Sequence, residues 1–172
     1  MKIRITILAL SLFTSFSVIG QRKITPTDSF KIQGKIKVEK SFTITELDSF
    51  PKQVLKDQIL YNHKGEIKDT VKNCKGVLLK TILAKIEYLN EKPKELNEFY
   101  FVCVASDGYK VVFSWNEIYN TETGNNLFII TELDGKKLKD MDQRIILSAT
   151  SDLKTGRRHI KGLERIEVKR IE

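Results

Sequence analysis

The stretch FYFVCVASDGYKVVFSWNEI, residues 99–118, decides the fold. Its first seven residues form an unbroken apolar run of strand length, Asp107-Gly108 is a tight-turn pair, and residues 109–113 make a second β-rich run. The pattern predicts a hairpin buried in the core. Ser114 stands three residues before Glu117, so its hydroxyl can cap an orphan backbone N–H while the carboxylate reaches back, which starts a short helix.

Upstream of this stretch, residues 91–97 form a charged loop with Pro93. Before that loop Leu78, Leu79, Ile82, Leu83, Ile86 and Leu89 fall at helical spacing, which predicts the best-patterned helix of the chain, opening at Gly76. Phe30, Ile32, Ile36 and Val38 mark a first strand bearing Gly34, and residues 42–44 lead into a short helix from Thr45 that ends before Pro51. Residues 53–61 form one extended region, with a turn at residues 62–65 and a return strand over 67–71. Downstream, residues 120–126 are a polar loop, 127–131 a buried strand, Asp134-Gly135 a turn and 144–149 a further strand. Residues 150–158 form a loop, and Ile166 and Val168 alternate with charged residues in a closing strand. Many short strands with one strong helix predict a β-rich α+β domain.

At 172 residues the chain has the size of one domain with a full core. Residues 1–20 differ in kind: Lys2 and Arg4 precede an apolar stretch over 5–13, and Val18 and Gly20 have the spacing of a signal-peptidase site. They are expected to be a cleaved export signal, followed by a flexible lead-in over 21–29 and a single domain over 30–172. The apolar part is shorter than the roughly 20 residues of a spanning helix, so no membrane span is expected after cleavage. The protein is then periplasmic or secreted. Without the leader the formal charge is 28 minus 22, or +6. The basic residues are interleaved with acidic ones except at Lys154, Arg157, Arg158 and Lys161, and no nucleic-acid motif accompanies them, so nucleic acid is not an expected partner. Cys74 and Cys103 are the only cysteines; sequence alone leaves open whether they pair. With no CxxC, no HExxH and only His63 and His159 as histidines, a metal site built from protein ligands is not expected.

The order of the pieces resembles the molybdopterin-binding domain of the sulfite oxidase family from about Phe30 to Ile171. The resemblance rests on the glycine-bearing first strand with its short helix ending at Pro51, Gly76-Val77-Leu78-Leu79 as a helix start, and Asp107-Gly108-Tyr109 in the hairpin. It continues in the strand and Gly-Leu turn over 127–138 and the arginine-led strand over 144–147. Its most specific part is Arg158-His159-Ile160-Lys161, followed by Leu163, Arg165 and Ile166. It implies a β-rich mixed-sheet fold of the sulfite-oxidase type with a few short helices. It also implies a pterin phosphate held by Arg157, Arg158, His159 and Lys161, with Tyr109, Asn62 and His63 at the pocket. Arginine forks onto phosphate oxygens and lysine adds a point charge.

The chain departs from that family at one position. The resemblance implies a molybdenum-holding cysteine on the strand over 58–62, yet no cysteine occurs between Gln21 and Asn73. Three readings follow. In the first the domain binds a pterin or other anionic small molecule without thiolate-ligated molybdenum catalysis. In the second it is an oxidoreductase carrying molybdopterin (molybdenum cofactor) whose metal site is completed by Cys74 or water. In the third it is a structural module that docks a protein partner on the basic loop. For Tyr109 a pocket-facing hydroxyl and a role covering the hairpin edge both stand. Trp115 is expected to pack rather than to stack on a ligand.

Overall fold

The structure is a computed structural model that describes residues 23–62 and 64–171. The expected leader and His63 lie outside the described residues. Strand β1, Ser29–Gly34, buries Phe30 and Ile32 on one face and pairs with β2, Lys40–Thr43. Thr43 then closes a capping box with Glu46 at the start of helix α1, Ile44–Ser49. Next come β3, Gln53–Leu55, β4, Gln58–Tyr61, and β5, Ile67–Val71. After β6, Cys74–Leu78, the chain turns directly into α2, Leu79–Leu83. Beyond a 3-10 turn at Pro93–Glu98 lie β7, Phe99–Ala105, and β8, Lys110–Ser114. Helices α3, Trp115–Tyr119, and α4, Glu122–Asn125, follow. The remaining strands are β9, Leu127–Leu133, β10, Lys136–Lys137, β11, Ile146–Ala149, β12, His159–Lys161, and β13, Leu163–Arg170.

One five-stranded sheet runs β2-β1-β13-β7-β8, with β1 and β13 parallel and the other pairs antiparallel. A second runs β12-β11-β9-β6-β3 with β10 beside β9, and β4–β5 is a separate two-stranded hairpin. Phe30, Phe42, Phe101, Phe113 and Ile166 from the first sheet join Val77, Ile129, Leu147 and Ile160 from the second in one buried core. Burying such side chains stabilises the fold by roughly 1.5–3 kcal/mol each before ordering costs. The architecture is α+β and β-rich with short helices, as the patterning predicts. The hairpin over 99–113 and the capped helix after it are present, with Glu117 N–H bonded to Ser114 Oγ at 3.1 Å and Ser114 N–H to Glu117 Oε2 at 2.8 Å.

Several expectations are corrected. The long helix from Gly76 is five residues long and starts at Leu79. Val77 and Leu78 pair with Ile129 and Phe128 of β9 while Lys75 and Gly76 pair with β3, so ladder bonds take what would be its first turn. Its far end is drawn away too: Leu89 N–H bonds Lys35 O at 3.0 Å, and Tyr88 bridges Ile36. Residues 53–61 divide between two sheets instead of forming one strand. The polar loop over 120–126 holds α4, capped by Thr121. The strand expected from Arg144 begins at Ile146, since Arg144 takes a left-handed φ of 40°. Among the described residues no helix is long and apolar enough to cross a membrane.

Candidate anion-binding cavity

Alternation along β12 is the local cause of the site. Ile160 turns into the core, so His159 and Lys161 on either side of it share the opposite face. Both border a cavity of about 410 Å³, within the size range of small-molecule sites. Leu60, Tyr61 and Asn62 from β4 and its turn, Lys68 and Asp69 from β5, and Ala105, Asp107 and Tyr109 from the β7–β8 turn also line it. Ile24, Gly156 and Arg157 complete the wall.

Two hydroxyl-to-carbonyl bonds set the segment before β12 in place. Tyr109 Oη donates to Arg157 O at 2.6 Å, and Thr155 Oγ1 donates to Ile59 O at 2.8 Å. Tyr109 therefore faces the basic segment while its ring stays half exposed. A side chain at Gly156 would collide with the Tyr61 carbonyl, which lets the basic segment lie directly against β4.

Three cationic side chains, Lys68, Arg157 and Lys161, border the cavity together with two carboxylates, Asp69 and Asp107. Burial, reinforced by the positive charges of Lys161 and Lys68, pushes the His159 imidazole down to about 4, with Asp69 opposing weakly. Burial and then Lys68 also lower Lys161. His159 is thus neutral at pH 7, and its Nδ1 lies 3.1 Å from Ser148 Oγ on the paired position of β11. An anion beside Lys68, Lys161 and Arg157 would relieve the crowding of like charge, accepting hydrogen bonds from lysine and guanidinium donors.

Of the residues singled out from sequence, the structure brings Tyr109, Asn62, Arg157, His159 and Lys161 to this cavity. Asn62 contributes position more than free donors: its Oδ1 accepts from Lys64 N and Glu66 N, and its Nδ2 donates to Glu66 Oε2. Arg158 goes elsewhere. Its guanidinium forks onto Asp152 at 2.7 and 2.6 Å, donates to Glu117 Oε1 at 2.8 Å, and lies 4.5 Å over the Phe113 ring. Those bonds, Asp152 foremost, hold it more firmly protonated and tie the basic segment to α3. Trp115 stacks on Tyr119 with centroids 4.5 Å apart. Lys68, Asp69 and Ile24 were not singled out from sequence, and Asp107 was read only as part of the hairpin turn. Only the chain order of Lys68 and Asp69, in the return strand of a hairpin beside the expected site, pointed toward them.

Cys74 and Cys103 are free and buried, and neither lines the cavity. Cys74 packs in a small cluster with Leu60 and Val71, where burial and then Asp134, Asp57 and Glu132 push its thiol up to about 11. Cys103 sits in the main core, its thiol raised by burial alone. A metal held by a thiolate does not fit these residues, because no cysteine sulfur lines the cavity and both thiols are held protonated. Among the described residues no group of three or more His, Cys, Asp and Glu side chains is placed to hold a metal ion. The anionic part of a pterin phosphate does fit the donors present.

Fold and cavity together define a β-rich α+β domain with a cavity bordered by Lys68, Arg157, His159 and Lys161. The fold is similar to that of the sulfane dehydrogenase SoxCD from Paracoccus pantotrophus, with a TM-score of 0.58 and 16% identity, covering 84% of this chain and 39% of that one. The chain thus spans well under half the length of that protein. The likeness is one of fold. No family model and no curated protein matches the chain.

Proposed function

We propose that the chain is an exported domain that binds an anionic small molecule, a pterin phosphate or a ligand of like chemistry, without thiolate-ligated molybdenum catalysis. The observation that carries this reading is the placement of His159 and Lys161 in one cavity with Lys68 and Arg157, where burial first and then neighbouring lysine charge depress the first two. The fold likeness and the sulfite-oxidase resemblance support the pterin as the body of the ligand. Arg157 supplies a forked donor, Lys161 and Lys68 supply charge, and neutral His159 contributes one ring nitrogen beside them.

The test is expression in cells able to make molybdopterin, followed by mass spectrometry and metal analysis of the purified protein. A bound pterin or phosphate ester without stoichiometric molybdenum is the expected result. Stoichiometric molybdenum that survives gel filtration would overturn the exclusion of a metal centre. In parallel, Lys161→Ala is expected to weaken binding of neopterin phosphate by about tenfold, the worth of one charge-assisted hydrogen bond, measured by calorimetry.

A further inference from the structure

We infer that the cavity is completed by the chain's own N-terminal segment, residues 23–28, with Ile24 as a ligand-contacting wall and Ser106 as the residue that positions it. This rests on the anion-binding reading of the same cavity. The segment reads KITPTD, and Ile24 is its only aliphatic residue apart from Pro26. That isoleucine is the one that lines the cavity, beside Leu60 and Ala105 among the apolar groups there.

Ser106 clasps the segment in both directions. Its Oγ accepts from Thr25 N–H at 2.9 Å and donates to Thr25 O at 2.8 Å. Its own N–H bonds Gly162 O at 2.8 Å, so the clasp is anchored one residue beyond Lys161. Gly162 takes a φ of +65°, and a Cβ there would stand 2.7 Å from Thr25 O and 2.8 Å from Ser106 Oγ. Only glycine leaves the segment this room. At the other end Asp28 pairs with Arg144, and its carbonyl accepts from Ile44 N–H at 2.9 Å.

Between these anchors the fit is imperfect. Thr27 Oγ1 is buried without a hydrogen-bond partner among the described residues, which opposes the closed arrangement. A two-ended strap held by a clasp and weakened in its middle closes over a ligand without sealing it permanently. Ile24 adds apolar contact next to the cationic wall, so the site selects an organic body bearing an anion over a bare inorganic anion. The segment expected to be a flexible lead-in is, in this reading, part of the binding site.

The experiment measures the release rate of neopterin phosphate by its fluorescence, and the affinity for inorganic phosphate by calorimetry, in the full chain. Ser106→Ala and Ile24→Ala are each expected to speed pterin release about five- to tenfold, as loss of the two exposed clasp bonds or of one apolar contact implies. Their affinity for inorganic phosphate should stay within about twofold of the wild type, because neither residue carries charge. Lys161→Ala should weaken both probes. Should Ser106→Ala fail to fold, Ile24→Ala carries the same readout without touching the clasp. Unchanged release in the strap variants, with Lys161→Ala still weakening both probes, overturns the strap and leaves the anion site standing. Binding of neither probe by the wild type, or binding indifferent to Lys161→Ala, overturns both.

Discussion

Two hairpins border the cavity, and they are built on different principles. In β7–β8 the central strand is paired on both sides, to β8 and to β13, and Phe101, Cys103 and Phe113 are wholly buried. In β4–β5 neither strand has a second neighbour among the described residues, and Leu60 and Val71 rest on a small cluster with Cys74. Ile59 and Ile67 stay 42% and 67% exposed, too wet to add much. A two-stranded ribbon is marginal by itself, so one wall of the cavity belongs to the core and the other is a lightly attached flap. A site can thus hold Tyr109 on a rigid element and Lys68 on a yielding one.

The comparison breaks most visibly under core truncation. Phe101→Ala is expected to cost about 3–5 kcal/mol in urea unfolding, whereas Leu60→Ala should cost about 2 kcal/mol because its surroundings can collapse toward solvent. Equal costs would mean that the flap unfolds only with the core. The adjacent arginines provide a second contrast. Arg158→Ala strips Asp152 and Glu117 of their partner and bares Phe113, for about 2 kcal/mol. Arg157→Ala should change stability by no more than about 0.5 kcal/mol while weakening neopterin phosphate. A destabilised Arg157→Ala protein would place that side chain in the architecture instead of the site.

A pH titration of His159, on β12, reports how closely the flap's Lys68 covers it. His159 is depressed to about 4 in the folded protein from an ordinary value of 6.5, so between those values the unfolded chain binds more protons. Its contribution is therefore complete above pH 6.5, declines as pH falls toward 4, and does not change further below that. His159→Gln should flatten this part of the stability profile relative to wild type, while carboxylates elsewhere titrate alike in both. An unchanged slope across pH 4–6.5 would show that His159 is solvated, and with it that the flap stands open.

What could be read from sequence follows the range of the forces involved. The β7–β8 hairpin, its capping box, the turn at Asp134-Gly135 and the β4–β5 return were legible because each is fixed within a few residues. The helix expected from Gly76 failed for the opposite reason: its apolar spacing is real, but β9 and β3 claim its first residues through partners some 20 to 55 positions away. In the site, His159, Lys161 and Tyr109 came from a resemblance in chain order, and Arg157 from the clustering of basic residues beside it. The resemblance centred on Arg158, which Asp152 and Glu117 draw away from the cavity, leaving Arg157 there instead. Ile24 was invisible, because only tertiary contact brings the polar lead-in to the cavity, and Lys68 was marked by nothing more than its place in the hairpin return.

The finest distinction lies in the two hydroxyls that tie the hairpins to the segment over 155–158. Thr155 is buried and bonds Ile59 O, so Thr155→Val keeps the shape but leaves that carbonyl without its partner, for about 1 kcal/mol. Tyr109 is 46% exposed, and water can replace its hydroxyl on Arg157 O, so Tyr109→Phe should cost less than about 0.5 kcal/mol. If the flap opens separately from the core, the Thr155→Val cost emerges as faster amide hydrogen exchange in β4 and β5 with β7 and β8 unchanged. Exchange accelerated equally in all four strands would join the two hairpins into one cooperative unit. The cavity would then have a single rigid frame in place of a fixed wall and a movable one.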